Sequence, residues 1–163
     1  MKYIISLIIS IAFSLNSFGQ DQPLYQVQKT PPPAVLLLTD STTKWNLKAK
    51  LEKDKPLLII FFSPECDHCQ HETEALIKNI SKFNGIQIVM ATTMPFGDMK
   101  AFAKKYQLAK HGITVGKDIA YIMPSYYEMK NLPYLAFYDK NKKLISTFEG
   151  ALGIPSILKA FGR

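Results

Sequence analysis

The sequence predicts an α/β fold with a mixed central sheet and helices on both of its faces. Three observations carry this. Leu57-Leu58-Ile59-Ile60-Phe61-Phe62 is an unbroken apolar run, the pattern of a strand buried on both sides. Helical spacing follows it directly, with Cys69, Leu76, Ile80 and Phe83 on one face. Near the C-terminus, Tyr134 to Tyr138 and Leu144 to Phe148 flank the turn Asp139-Lys140-Asn141, the signature of an antiparallel hairpin. Strands joined through helices and closed by a hairpin give parallel and antiparallel neighbours in one sheet.

Lys2, the apolar stretch Ile4 to Phe13 and the small-x-small Ser17-Phe18-Gly19 form an export leader over residues 1–19, cleaved after Gly19. The apolar stretch is short of the roughly 20 residues a membrane span needs. An uncleaved anchor is the less favoured alternative. No cysteine lies near the cut, which argues against a lipoprotein. Residues 20–33, with Pro23 and Pro31-Pro32-Pro33, read as an extended linker. Residues 34–163 form one domain. It opens with an N-terminal strand extension, Ala34 to Leu38, with Trp45-Asn46-Leu47 pairing back. After the charged turn Glu52 to Pro56 comes the buried strand. A helix is expected from Cys66 to about Phe83, stopped by Asn84-Gly85. Ile86 to Met90 is a strand. Pro95 to Tyr106 is a helix through Met99, Phe102, Ala103 and Tyr106. Gly112 to Val115 is a short strand, and Ile119 to Met129 a weak helix interrupted at Pro124. Ile154, Ile157, Leu158 and Phe161 mark a terminal helix with Pro155 in its first turn.

Composition bounds the function. The 163 residues suit one domain; 47% are hydrophobic and 20% charged, enough for a core and too apolar for a disordered chain. The net charge of +7 comes from dispersed lysines. The densest groups, Lys104-Lys105 and Lys140-Asn141-Lys142-Lys143, fall short of a nucleic-acid tract, so no nucleic-acid partner is expected. Losing Lys2 with the leader lowers the charge by one, to +6. A monomer is expected.

Both cysteines sit in one C-x-x-C, Cys66-Asp67-His68-Cys69. A bridge across so short a loop stabilises little, because the stabilisation grows with loop length. In an oxidising compartment such a pair is better explained by chemistry. A cysteine opening a helix meets unpaired N–H groups at the positive end of the macrodipole, which favours a thiolate. Positions i and i+3 share a face, so the sulfurs can join. Cys66 is expected to attack and the more inward Cys69 to resolve the mixed disulfide. A thiol of pKa about 8.5 is only about 3% ionised at pH 7, whereas one lowered to about 7 is about half ionised. His68, if protonated, favours the Cys66 thiolate; Glu65 and Asp67 oppose it. The balance leaves the redox direction, reductase or oxidase, open.

The apolar strand, Ser63-Pro64-Glu65, the C-x-x-C and the downstream Asn131-Leu132-Pro133-Tyr134-Leu135-Ala136-Phe137-Tyr138-Asp139 together resemble the thioredoxin superfamily over about residues 34 to 163. Export and the pattern Cys66-x-x-Cys69-x-x-Glu72 look closest to its TlpA/ResA-like periplasmic group. The resemblance implies a thioredoxin fold and a thiol–disulfide oxidoreductase needing no cofactor. It also implies a cis Pro133 packed on the active pair, with Leu132 backbone groups pairing with substrate. Its partners would be disulfide-containing exported proteins, and a membrane thiol–disulfide partner would supply electrons. Two features depart from the family. The aromatic residue before the first cysteine is Phe62, four positions upstream, and the preceding strand carries no buried aspartate. Glu72 is therefore a candidate for moving the Cys69 proton, against the commoner fate of an exposed helical glutamate.

Other readings compete. Cys66, His68, Cys69 and His71 suggest a copper-carrying or non-catalytic module, but they spread around a helix and cannot converge on one ion, so no metal site is expected. His71 and His111 read as surface residues. A peroxiredoxin needs Pro-x-x-x-Thr-x-x-Cys; Ile59 and Ser63 occupy those places. Tyr121, Tyr126, Tyr127 and Tyr134 read as packing before a substrate groove. Met94-Pro95-Phe96 reads equally as core or as a rim of the site.

Overall fold

The computed structural model describes residues 22–163, so the leader over 1–19 lies outside the described residues. Seven strands form one sheet: β1 (Val35–Leu38), β2 (Lys44–Asn46), β3 (Leu57–Phe61), β4 (Gln87–Thr92), β5 (Thr114–Asp118), β6 (Tyr134–Tyr138) and β7 (Leu144–Glu149). Their spatial order is β2-β1-β5-β4-β3-β6-β7. The pairs β3–β4 and β4–β5 are parallel; β1–β2, β1–β5, β3–β6 and β6–β7 are antiparallel. The sheet is therefore mixed, as the sequence predicts.

The central strand is buried at every position. Strand periodicity divides its side chains between two cores. Leu58, Ile60 and Phe62 join the first, with Ile88, Met90, Leu135 and Phe137 from neighbouring strands. Leu57, Ile59 and Phe61 join the second, with Val89, Ala91, Ala136 and Tyr138. Each fully buried Leu or Ile contributes about 1.5–3 kcal/mol.

Helices cover both faces. α2 (Asp67–Lys78), α3 (Phe96–Lys105) and α5 (Ile154–Ala160) close the first core through Cys69, Leu76, Met99, Phe102, Ile154 and Ile157. α4 (Ile122–Tyr127) closes the second through Met123, Tyr126 and Tyr127. The second core ends in hydroxyls rather than methyls. Tyr127 and Tyr138 share a hydrogen bond of 2.6 Å, and Tyr126 donates to Thr30 O at 2.6 Å. Tyr126, Tyr127 and Tyr134 are thus core residues, while Tyr121 is exposed.

Several boundaries differ from expectation. Within residues 20–33, a short helix α1 (Leu24–Gln28) sets Tyr25 against Tyr127 with ring centroids 5.7 Å apart, and Pro31 and Pro32 are buried. That part of the linker is docked onto the second core. The helix expected to Phe83 ends at Lys78 and re-forms as a 3-10 turn over Ile80–Phe83, with the Asn79 amide on Ala75 O. The strand expected at Gly112 to Val115 begins at Thr114 and runs to Asp118, because it pairs with β1 as well as β4. Gly116 allows this approach: a Cβ there would lie 2.6 Å from Leu36 Cβ. The weak helix shrinks to Ile122–Tyr127, with Pro124 in its first turn, where a missing N–H costs nothing. Pro95 precedes α3 as its N-cap, and Phe96 packs on the first core. Pro155 lies in the first turn of α5 as expected. No described helix is long and apolar enough to cross a membrane.

Candidate active site

β3 ends against the first core, and the turn Ser63-Pro64-Glu65 carries the chain to the mouth of α2. Cys66 N–H closes that turn on Ser63 O at 3.2 Å. Cys66 is the N-cap of α2, with extended backbone, and its Sγ accepts the Cys69 N–H at 3.4 Å. The sulfur occupies the place where a serine or aspartate oxygen commonly satisfies an orphan N–H. Negative charge on Sγ at this spot gains from both the N–H and the macrodipole. Both cysteines are free thiols, Cys66 half-buried and Cys69 buried.

Burial comes first, and the hydrogen bond with Cys66 second, in pushing the Cys69 thiol up to about 12. Cys69 is a neutral thiol at neutral pH and must lose its proton before it can attack.

The bond Leu132–Pro133 is cis, and it lies opposite the pair. Cys66 Sγ donates to Leu132 O at 3.9 Å. Leu132 itself packs against both cores. Cys66, Cys69, Leu132 and Pro133 thus come together at one end of the sheet.

Glu72 lies one turn beyond Cys69, on the buried face that also holds Thr73 and Leu76. It is only 5% exposed, which corrects the surface fate weighed for it. Its Oε2 accepts the Leu152 N–H at 2.8 Å, and its Oε1 has no protein partner among the described residues. Burial raises its carboxyl above the usual range, and the Leu152 hydrogen bond opposes that in part. Glu65, Asp67 and His68 are exposed around the helix mouth, as is His71. Among the described residues, no three His, Cys, Asp or Glu side chains gather closely enough to hold a metal.

Sequence reasoning missed two residues that hold this site. Gln70 donates from Nε2 to Pro64 O at 3.0 Å, and its Oε1 accepts from Lys105 at 3.2 Å, so it ties the cysteine turn to α3. Nothing in its spacing marks it. Glu149 contacts the loop before Pro133 through both carboxylate oxygens. It lies outside every motif.

Comparison with known proteins agrees with the fold. The model of the AhpC/TSA family matches residues 27–153. Among solved structures, the fold is similar to that of a secreted Mycobacterium tuberculosis disulfide oxidoreductase homologous to E. coli DsbE. The identity is 17% and the TM-score 0.66, over 78% of this chain and 93% of that one. It is similar to StoA from Bacillus subtilis, with 13% identity and TM-score 0.59 over 78% and 96%. It is also similar to the exposed lipoprotein thioredoxin of Streptococcus pneumoniae, with 19% identity and TM-score 0.60 over 77% and 94%. At such identities the likeness concerns the fold. A sequence search of curated proteins gives no match.

Proposed function

The chain belongs to the AhpC/TSA family, with the thioredoxin fold, and from that premise we propose that it is an exported thiol–disulfide oxidoreductase working through Cys66 and Cys69. One observation carries the reading: a sulfur that caps a helix, 3.4 Å from the Cys69 N–H, stands against the cis-proline loop with a second thiol buried behind it.

The chemistry follows in two steps. Cys66 thiolate attacks one sulfur of a substrate disulfide. The substrate S–S bond breaks, the departing sulfur takes a proton, and a Cys66–substrate mixed disulfide forms. Cys69 then gives up its proton and attacks the Cys66 sulfur. The internal disulfide forms and the second substrate thiol leaves, so two electrons pass to the substrate. Cys69 needs a base, and Glu72 is the candidate: a buried carboxylate with a raised pKa and a free oxygen, on the same helical face. Leu132 backbone groups would pair with the substrate chain beside the attacked sulfur.

The expected leader supports export to the periplasm, with disulfide-containing exported proteins as substrates. A membrane thiol–disulfide partner would return the electrons. The peroxidase reading lacks its cradle, since Ile59 is buried inside β3 and Ser63 lies in the turn. Insulin-disulfide reduction tests the proposal. Wild type is expected to be active and Cys66→Ser inactive; equal rates would sink it. The potential against glutathione then sorts reductase from oxidase, and metal titration of the dithiol tests the copper-carrier alternative.

A further inference from the structure

Glu149 ends β7 beside the loop that delivers Leu132 and Pro133. Its Oε1 accepts the Lys130 N–H at 3.1 Å, and its Oε2 accepts Asn131 Nδ2 at 3.0 Å. Two donors on consecutive loop residues thus converge on one carboxylate from another strand. The next residue continues the contact: Gly150 donates its N–H to Pro133 O at 2.7 Å.

The loop needs such support. It leaves α4 through Glu128, a non-glycine residue held in the left-handed region at φ 53. Met129 N–H returns to Pro124 O at 3.2 Å, and beyond it the chain bends through Asn131, Leu132 and Pro133 to β6. A hydrogen bond to an ionised acceptor is roughly twice as strong as a neutral one. A carboxylate that uses both oxygens fixes the loop's direction as well as its distance.

Resting on the oxidoreductase reading, we propose that Glu149 is a positioning residue for exchange with peptide disulfides. It holds Lys130 and Asn131 so that the Leu132 peptide stands at the Cys66 sulfur, where an extended substrate chain would pair with it. Glu149 touches no reacting atom. Its effect reaches the reaction through Leu132 alone.

This predicts a split between substrates. A peptide disulfide needs both the Cys66 sulfur and the Leu132 backbone. A small aromatic disulfide such as dithiodipyridine needs only the sulfur. In the reduced full-length protein, Glu149→Ala should lower kcat/KM for a disulfide-bonded peptide by about tenfold, mostly through KM, a partial misplacement of the loop against the roughly hundredfold that a 1 Å shift can cost. Its rate with dithiodipyridine should stay within about twofold of wild type. Glu149→Gln keeps an acceptor oxygen and should fall between wild type and Ala. Asn131→Ala should weaken peptide reduction less than Glu149→Ala, and the double variant no more than Glu149→Ala, because both act through one contact. Equal slowing of both disulfides, unchanged peptide kinetics or additive effects would each overturn the proposal. Wild type failing to reduce either disulfide would instead overturn the oxidoreductase reading itself.

Discussion

Among the described residues, the two faces of the sheet each bury one carboxylate, and the pair is built almost alike. Under α2, Glu72 accepts the Leu152 N–H at 2.8 Å and leaves Oε1 without a protein partner. Under α4, Asp118 accepts the Met123 N–H at 2.7 Å and leaves Oδ1 without one. Both are nearly inaccessible, at 5% and 0%. They differ in what shares their face. Glu72 sits one turn from the buried Cys69 thiol. Asp118 sits in a core of methyls and tyrosine rings and holds the start of a six-residue helix. A buried, half-satisfied carboxylate is therefore no functional sign by itself. The neighbours on its face are what set Glu72 apart from Asp118.

The largest expected effect separates the two on activity. Glu72→Gln should slow release of the reduced product by about two orders of magnitude, the lower end of the scale for a lost proton acceptor, while leaving the first attack by Cys66 unchanged. Asp118→Asn should change neither step. Rapid-mixing kinetics with a peptide disulfide resolves both. If the two variants slow release equally, the contrast is lost and Glu72 is only structural.

Glu72 should also show in stability against pH. The Glu72 carboxyl is raised on folding, so the folded chain holds that proton more tightly than the unfolded chain. Its contribution is present below the ordinary value of 4.5 and is lost as pH rises through the folded value. Glu72→Gln should flatten that decline in Tm measured across the acid range; an unchanged slope would contradict the raised carboxyl. At the alkaline end, the reduced protein should lose stability as pH rises from about 9 toward about 12, as Cys69 ionises, and Cys69→Ser should remove that loss.

On the opposite face the effects should be purely structural. Asp118→Ala removes the acceptor for the Met123 N–H and should cost about 1–2 kcal/mol in urea unfolding, with reduction kinetics intact. Smallest of all, Tyr127→Phe deletes its hydrogen bond to Tyr138 and should cost about 0.5–1.5 kcal/mol. A loss of activity in either would show that the second core is coupled to the thiols.

How much of this could be read in advance differs by element. The six apolar residues of the central strand could belong only to a two-sided interior, and the C-terminal hairpin showed both its alternation and its turn. The burial of Glu72 was also readable: it falls with Cys69, Thr73 and Leu76 at i, i+3, i+4 and i+7, on the face α2 turns inward. Charge alone argued for exposure, and position overrode it. α1 was hidden because prolines on both sides of five residues mask a helix whose anchor, Tyr25 on Tyr127, is made by distant chain. β5 was displaced because Gly116 and Lys117 break any apolar pattern, and only the sheet explains them. Gln70 and Glu149 were invisible for the same reason. Their partners, Pro64 and Lys105 for one, Lys130 and Asn131 for the other, are fixed by tertiary contacts that no local spacing encodes.

Trapping reads out the order in which the two sulfurs act. Cys69→Ser and Cys66→Ser proteins, each reduced and mixed with a disulfide-bonded peptide, are read by intact-protein mass spectrometry. Cys69→Ser should accumulate a one-peptide mixed disulfide on Cys66, and Cys66→Ser should stay unmodified over the same time. Faster adduct formation on Cys69 in the Cys66→Ser protein would contradict the assignment of attacker and resolver.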